Sequence, residues 1–98
     1  MKFTVRFTPE AKDDLVRLYA FLLETNIALA EKALEAIKRG ISFLHHFPQS
    51  CRKATSQNSN LRELLISFGK SGYVVLFEIE EYIVTILAIR HQRENDYL

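Results

Sequence analysis

Hydrophobic and polar residues alternate at the start of the chain and then follow a helical period. Residues 2–7 alternate, with Phe3, Val5 and Phe7 on one side, which predicts a half-buried strand. Two segments with helical spacing follow, one beginning at Thr8-Pro9-Glu10 and one running from Ile27 to His46. Their apolar stripes are Ala11, Leu15, Leu18 and Leu22 in the first segment, and Ala30, Ala33, Leu34, Ile37, Ile41 and Leu44 in the second.

Local signals mark where these helices begin and end. Thr8 is suited to cap the first helix, and Pro9 fits the first helical position. Asn26 is a plausible cap for the second helix, and Phe47-Pro48 ends it. Because the connection is so short, the two helices are expected to form an antiparallel hairpin.

The C-terminal half has the pattern of a sheet. Residues 49–60 are polar without periodicity, which predicts a loop from Gln49 to Asn60. The stretches Leu61–Phe68, Tyr73–Ile79 and Tyr82–Arg90 are apolar and separated by short turns, which predicts an antiparallel meander. The predicted fold is therefore α+β in the order β-α-α-β-β-β, with the helix hairpin packed on a mostly antiparallel four-stranded sheet. Its expected core includes Leu15, Leu18, Leu22, Leu34, Ile37, Ile41, Val75, Leu87 and Ile89.

In the last two predicted strands, the residues that face either side of the sheet are apolar. Both faces of the sheet are therefore expected to be at least partly covered. The helix hairpin covers one face. A binding partner is one candidate for covering the other. The alternative is that the segment Gln49–Asn60 and the C-terminal tail fold over it.

Length and composition indicate a single globular domain. Its 98 residues make one domain, residues 1–98, and 48% hydrophobic with 26% charged residues is ordinary for a globular protein. A formal net charge of +1 argues against coating nucleic acid by bulk charge, and no direct sequence-specific DNA binding is expected. The charge is nevertheless uneven, because residues 49–70 contain Arg52, Lys53, Arg62 and Lys70 but only Glu63 as an acid.

Cysteine and histidine usage excludes several further classes. Cys51 is the single cysteine, so no internal disulfide can form, which fits a cytoplasmic protein. One cysteine and three scattered histidines do not make a zinc motif, and we expect neither a metal nor a cofactor. We also expect no signal peptide and no membrane association, since no apolar run reaches spanning length.

The chemistry-bearing residues are concentrated where the last apolar strand meets the polar tail. Metal-free RNA cleavage would need a base, a cation to stabilise phosphorane charge, and an acid. The candidates are His91 or Glu94 as base, Arg62 or Arg90 for charge, and Tyr97 as acid. Arg90 and His91 are consecutive in a strand and are expected to point to opposite faces. Arg62 has a structural alternative, which is pairing with Glu63 or Glu94.

Several short motifs, taken in order, resemble the ParE/RelE superfamily of toxins from type II toxin–antitoxin modules, including its plasmid-stabilisation group. The resemblance covers nearly the whole chain. The motifs are Ala11-x-x-Asp14-Leu15, Asn26-x-x-Leu29-Ala30, Phe47-Pro48-x-x-x-Arg52, Leu61-Arg62-Glu63-Leu64, Gly72-Tyr73-Val74-Val75-Leu76-Phe77-Glu78-Ile79, and the closing segment from Ile86 to Tyr97.

This resemblance implies the β-α-α-β-β-β fold and a cognate antitoxin as partner. ParE-like members poison DNA gyrase, whereas RelE-like members are ribosome-dependent mRNA endonucleases. The ending His91-Gln92-Arg93-Glu94 resembles the ParE type more closely, so a gyrase-binding inhibitor that is not itself an enzyme is favoured. The alternatives are a RelE-like nuclease acting on mRNA at the ribosome and a degenerate, inactive toxin. The expected target-binding residues are Arg52, Arg62, Arg90, Arg93 and Tyr97.

Overall fold

The structure is a computed structural model that describes residues 2–93. It is α+β, with two helices packed on one mostly antiparallel sheet, which confirms the predicted fold class. Within residues 2–93, none of the helices has the length and apolar content that spanning a lipid bilayer requires. The elements are β1 (Thr4–Phe7), α1 (Pro9–Leu23), α2 (Ile27–Leu44), a short 3-10 helix (Pro48–Ser50), β2 (Arg52–Thr55), β3 (Asn58–Phe68), β4 (Ser71–Glu80) and β5 (Ile83–His91).

The sheet has the strand order β1-β5-β4-β3-β2, and β1 pairs parallel to β5 while the other pairs are antiparallel. It therefore has five strands, and the prediction of four was wrong. The additional strand, β2, lies inside the segment Gln49–Asn60, which was expected to be a loop. Because β2 is a short, polar strand at the edge of the sheet, main-chain pairing with β3 rather than side-chain burial holds it, and its sequence has no alternating pattern.

The helix caps follow the sequence signals. Thr8 Oγ1 accepts a hydrogen bond from Ala11 N at 3.1 Å, with Pro9 in the first helical position. Asn26 Oδ1 accepts one from Leu29 N at 3.1 Å at the start of α2. Each cap satisfies a main-chain donor that has no partner inside its helix, so each one sets where its helix begins.

The core lies between the helix hairpin and one face of the sheet. Of the residues expected there, Leu18, Ile37, Val75 and Ile89 are buried in it, and Leu15, Leu22 and Ile41 pack against it half-buried. Leu34 and Leu87 were also expected in the core, but both are half-buried and lie outside the core cluster.

A bulge in β5 explains the position of Leu87. Leu76 lies opposite Ala88 and Phe77 lies opposite Ile86, so Leu87 is an extra residue without a partner in β4. The bulge shifts the alternation of inward and outward side chains along β5. Ile86 before the bulge and Ile89 after it are therefore both fully buried, although they are three residues apart. Helix α1 completes the bonding at the bulge, since Asp14 Oδ2 accepts from Ile89 N at 2.9 Å and Thr8 Oγ1 donates to the Leu87 carbonyl at 3.4 Å.

Helix α2 lies close to β3 because of Gly40. A Cβ atom at this position would stand 2.6 Å from Ile66 Cδ1, which is closer than real Cβ contacts occur. The glycine therefore leaves the space that the Ile66 side chain fills. The far end of α2 is joined to the start of the chain, because His45 Nδ1 lies 2.9 Å from the Phe3 carbonyl and Phe3 N donates to the His45 carbonyl.

Candidate functional site

The face of the sheet opposite the helices carries both apolar and charged side chains, and we call it the open face. Val75 and Phe77 point into the core, so the alternate residues Val74 and Leu76 point the other way. Val74 is only 2% exposed although it lies outside the core cluster, whereas Leu65, directly opposite it, is 48% exposed. By register the open face carries the apolar residues Leu61, Leu65, Val74, Leu76 and Ala88 and the charged residues Glu63, Glu78, Arg52, Arg6 and Arg90.

Three arginines share the open face. Arg52 lies opposite Glu63, and its Nε and Nη2 atoms are 3.0 and 2.9 Å from Glu63 Oε1. Arg6 lies opposite Thr85 at the other end of the sheet and donates from Nε to Thr85 Oγ1 at 2.9 Å. Arg90 lies opposite Val74 and is half-buried. The open face therefore combines apolar residues with three arginines and two glutamates, and one of these arginines, Arg52, is paired with Glu63.

Arg6 was not among the residues selected from the sequence. The signal for it was present, because Phe3, Val5 and Phe7 alternate along β1 and Arg6 must then point away from the core. What the sequence alone could not supply was the pairing of β1 with β5, which brings Arg6 onto the same face as Arg52 and Arg90.

Arg62 lies on the other side of the sheet and holds the chain in place. It lies opposite Phe77, a core residue. Its guanidinium donates to three carbonyls, those of Gln49 at 3.2 Å, Cys51 at 2.8 Å and Ser59 at 3.0 Å. Arg62 thus fixes the main chain just before Arg52, and the expected pairing with Glu63 is made by Arg52 instead.

The thiol of Cys51 lies in the segment that Arg62 holds through hydrogen bonds to the Gln49 and Cys51 carbonyls. Burial raises the pKa of the Cys51 thiol, and the nearby charge of Arg62 opposes that shift only in part. The thiol is therefore protonated at neutral pH and is a poor nucleophile. Its environment is that of a core residue rather than a reactive cysteine.

His91 points away from Arg90, toward the helix side. It lies opposite the buried Tyr73, with the two rings 5.6 Å apart in an edge-to-face arrangement. Its Nδ1 accepts from Arg93 N at 3.1 Å, so the neutral ring carries its proton on Nε2, which lies 3.0 Å from Ser71 Oγ. Both ring nitrogens of His91 therefore have partners within the protein.

A groove of about 630 Å³ lies beside His91 on the helix side. Its wall is mainly apolar, and Phe21, which is 69% exposed, stands at its rim. Burial raises the pKa of the Tyr73 phenol, so this hydroxyl is neutral across the physiological range. The lining residues are Arg17, Leu18, Phe21, Leu22, Phe68, Tyr73 and His91.

The structure thus brings some of the candidate residues together and separates others. Arg52 and Arg90 share the open face, while Arg62 and His91 lie on the opposite side. Arg93 is exposed just after β5. The candidates Glu94 and Tyr97 lie outside the described residues. Within residues 2–93, no three His, Cys, Asp or Glu side chains are grouped so that they could hold a metal ion.

Comparison with known proteins identifies the class to which this fold and surface belong. The family model described as "ParE toxin of type II toxin-antitoxin system, parDE" matches residues 5–96. The curated protein Toxin RelE3 of Caulobacter vibrioides is 32% identical over 92 residues, which cover 94% of this chain and 97% of that protein. The chain belongs to the ParE toxin family of type II toxin–antitoxin systems, within the wider ParE/RelE group.

Solved structures of two toxin–antitoxin systems have the same fold. One is the chromosomal ParDE system from P. aeruginosa, with a TM-score of 0.72, 19% identity, and coverage of 92% of this chain and 96% of that one. The other is the RelBE2 toxin–antitoxin complex from Mycobacterium tuberculosis, with a TM-score of 0.61, 21% identity, and coverage of 96% and 95%. At these identities the likeness establishes the fold.

Proposed function

We propose that this toxin acts by binding and poisoning DNA gyrase, and that a cognate antitoxin neutralises it by covering the open face. The observation that carries the proposal is the open face itself, where the exposed side chain of Leu65 shares the face with Arg6, Arg52 and Arg90. An exposed apolar side chain among arginines gains free energy when a partner buries it, which favours association. Arginine is also enriched among the residues that contribute most to binding at interfaces.

The positions of the candidate nuclease residues support a binding inhibitor over an enzyme. Cleavage of RNA requires a base, an acid and a charge stabiliser within reach of one phosphate. Arg90 and His91 point to opposite faces, and Arg62 is engaged by three main-chain carbonyls. Within the part of the chain that the structure describes, these groups do not converge.

The second candidate function is a RelE-like endonuclease that cuts mRNA at the ribosome. It is favoured by the name of the curated relative, Toxin RelE3. The arginines of the open face could equally contact a phosphate backbone. A nuclease would need His91 as its base and Tyr97 as its acid, and loss of an acid or base lowers the rate about 10²–10⁴-fold. A binding inhibitor does not need either residue for proton transfer.

Two assays on the purified protein separate these functions. The first measures supercoiling and DNA cleavage by gyrase, and the second measures cleavage of mRNA on programmed ribosomes. We expect trapped, cleaved DNA in the gyrase assay and intact mRNA in the other. Cut mRNA with unaffected gyrase would refute gyrase poisoning and establish the nuclease.

A matched pair of variants tests whether the open face is the contact surface. Arg52→Ala removes an arginine from this face and should raise the toxin concentration needed for half-maximal gyrase inhibition about fivefold or more. Lys53→Ala removes the neighbouring exposed charge, which lies opposite Arg62 rather than on the open face, and should leave inhibition unchanged. Equal effects of the two variants would mean that only overall charge matters.

The antitoxin is tested in cells. We expect induction of this chain alone to arrest bacterial growth, and co-induction of the product of the adjacent small open reading frame to restore it. Unimpaired growth with folded protein present would instead indicate an inactive, degenerate toxin.

A further inference from the structure

The chain leaves its last strand on the helix side of the sheet. The ring of His91 lies there, against the buried Tyr73. Arg93 N donates to Nδ1 of that ring at 3.1 Å, and Gln92 N donates to the Gly72 carbonyl at 2.9 Å. These two bonds hold the turn after β5 beside the groove of about 630 Å³ that His91 lines, which we call the helix-side groove. The segment that follows Arg93 therefore starts at this groove.

Helix α1 forms one wall of the helix-side groove and runs in the same direction as β5. Thr8 Oγ1 donates to the Leu87 carbonyl near the start of the helix, and Asp14 Oδ2 accepts from Ile89 N further along it. Later residues of α1 therefore lie beside later residues of β5. The second half of α1 extends from the level of the end of β5 into the groove.

Two kinds of side chain follow one another along this wall. Arg17 comes first, and its side chain is 52% exposed although it lies 3.8 Å from Asp14. Phe21 and Leu22 come one helical turn later, about 6 Å further along the axis. Phe21 is 69% exposed. A segment that leaves the end of β5 along α1 therefore meets a cation first and an apolar surface second.

We propose that the helix-side groove receives residues 94–98 of the same chain, which lie outside the described residues. Their sequence is Glu94-Asn95-Asp96-Tyr97-Leu98, in which two acidic residues precede an apolar pair. This order matches the order of the wall, with its cation before its apolar surface. Five extended residues span at most about 17 Å. That length exceeds the rise of one helical turn that separates Arg17 from Phe21.

Both parts of this contact gain free energy on docking. The carboxylates of the segment complement the charge of Arg17. Burial of Tyr97 and Leu98 against Phe21 removes apolar surface of both partners from water. Because the segment is tethered beside the groove, docking is intramolecular and avoids the loss of translational freedom that a separate partner of the same chemistry would bear.

Docking in the helix-side groove separates Tyr97 from the open face. Arg52 and Arg90 lie on that face, and the sheet stands between them and the groove. A docked Tyr97 therefore does not act together with these arginines. The contact forms within the free toxin and needs neither gyrase nor an antitoxin, so it goes beyond the function proposed above and is tested separately from it.

Tryptophan fluorescence tests the docking in the full chain. The chain contains no tryptophan, so Tyr97→Trp introduces a single fluorophore. We expect acrylamide to quench this tryptophan at least about twofold less in the folded chain than in the same chain unfolded in urea, because an aromatic ring in the groove is shielded from solvent. Equal quenching in the folded and unfolded chains would overturn the proposal.

A matched pair of variants in the Tyr97→Trp background tests whether the groove is the docking site. Phe21 and Val16 are 69% and 67% exposed on the same helix, and of the two only Phe21 lines the groove. We expect Phe21→Glu to raise quenching about twofold or more and Val16→Glu to leave it unchanged. Thermal melting verifies that both variants are folded. Shielding that survives Phe21→Glu would show that the segment docks elsewhere.

A charge reversal tests the acidic part of the segment. Arg17→Glu reverses the cation of the groove, and Lys12→Glu makes the same change at an exposed position of α1 outside it. We expect only Arg17→Glu to raise quenching, and we expect Glu94→Lys with Asp96→Lys to restore the shielding in that variant. Equal effects of Arg17→Glu and Lys12→Glu would contradict a specific pairing with Arg17.

The unsubstituted chain provides a readout that does not depend on tryptophan. We expect nuclear Overhauser contacts between the ring protons of Tyr97 and the side-chain protons of Phe21 or Leu22. Their absence from an assigned spectrum would overturn the proposal.

Two further outcomes would assign the groove to another occupant. Shielding of the tryptophan that grows with protein concentration, together with a doubled mass in solution, would show that a second copy of the chain fills it. Shielding that appears only when the product of the adjacent small open reading frame is added would assign the groove to that protein. Either outcome overturns docking within one chain.

Discussion

Asp14 supplies a hydrogen bond that the bulge in β5 would otherwise lack. Its Oδ2 accepts from the main-chain N–H of Ile89, which is 0% exposed. Asp14→Ala leaves that buried donor without an acceptor and should lower the free energy of unfolding by about 1–3 kcal/mol, measured by urea denaturation. Asp14→Asn keeps an acceptor oxygen and should cost less.

Comparing these two Asp14 variants separates the hydrogen bond from the charge. Asp14 also lies 3.8 Å from Arg17, an exposed pair that contributes little. Equal destabilisation by the alanine and asparagine substitutions would attribute the effect to the carboxylate charge and contradict the role assigned to the Ile89 bond.

Glu81 adopts a main-chain conformation that glycine tolerates better. It has φ 55° in the turn between β4 and β5, where a Cβ atom is unfavourable. Glu81→Gly should therefore raise the free energy of unfolding by roughly 1 kcal/mol. Glu80→Gly is the control, since Glu80 is a strand residue and glycine there should destabilise. A lower melting temperature for Glu81→Gly would contradict the prediction.

Cys51 makes stability depend on pH on the alkaline side. Burial raises the pKa of its thiol in the folded protein above the ordinary value of 9.0, so above that pH the unfolded chain loses its proton first. Stability from this group is complete below pH 9 and is lost as pH rises through the folded pKa. We expect Cys51→Ala to reduce the fall of unfolding free energy above about pH 9, with both proteins compared at about pH 7 as reference.

The contact between α2 and β3 depends on a glycine that lowers helix propensity. Gly40→Ala gains about 1 kcal/mol of intrinsic propensity but places a Cβ atom against Ile66 Cδ1, and overpacking of this kind costs about 1–3 kcal/mol. Ile66→Ala removes both side-chain atoms that the new Cβ would meet, Cδ1 at 2.6 Å and Cγ1 at 2.8 Å. In a double-mutant cycle Gly40→Ala should therefore be more favourable by at least about 1 kcal/mol in the Ile66→Ala background than in the wild type. Additive effects would mean that Ile66 moves aside freely.

The sequence predicts correctly those elements whose pattern of apolar and polar side chains reflects which residues are buried. The stripes of α1 and α2 and the caps at Thr8 and Asn26 depend on local chemistry, and the structure has them where expected. Strand β2 was missed because its residues are exposed and main-chain pairing holds it. The position of Leu87 was predicted wrongly because the residues on both sides of it are apolar, so the sequence does not show that the bulge shifts the alternation of inward and outward side chains. The register of β5 with β4 shows this shift.

The candidate site was less predictable than the fold for the same reason. Which arginines share a face depends on pairings between distant strands, and neither composition nor spacing contains them. Arg62 looked like a functional cation because it interrupts an apolar strand, yet its three carbonyl partners come from segments whose path the sequence did not predict.

The open face should matter to association and hardly at all to folding. Leu65→Glu changes a residue that is 48% exposed, so the free energy of unfolding should move by no more than about 0.5 kcal/mol. The same change should abolish growth arrest and antitoxin binding, because it replaces an exposed apolar side chain of the open face with a charge. Growth assays and co-purification measure both effects.

A matched control for this variant is available on the opposite side of the molecule. Phe21→Glu alters a residue that is 69% exposed on α1 and should leave toxicity intact. If the Leu65→Glu variant is still toxic, the open face is not the functional surface. If the Phe21→Glu variant is folded but not toxic, the functional surface lies on the helix side.

The parallel pairing of β1 with β5 has a consequence for the synthesis of the protein. Arg6 and Thr85 are neighbours in the sheet although they are 79 residues apart along the chain. Strand β1 is synthesised first, but it has no strand to pair with until β5 has been made. Such long-range pairing slows folding. A chain that stops before β5 would lack the strand that pairs with β1, so Arg6 joins Arg52 and Arg90 on the open face only after β5 has been made.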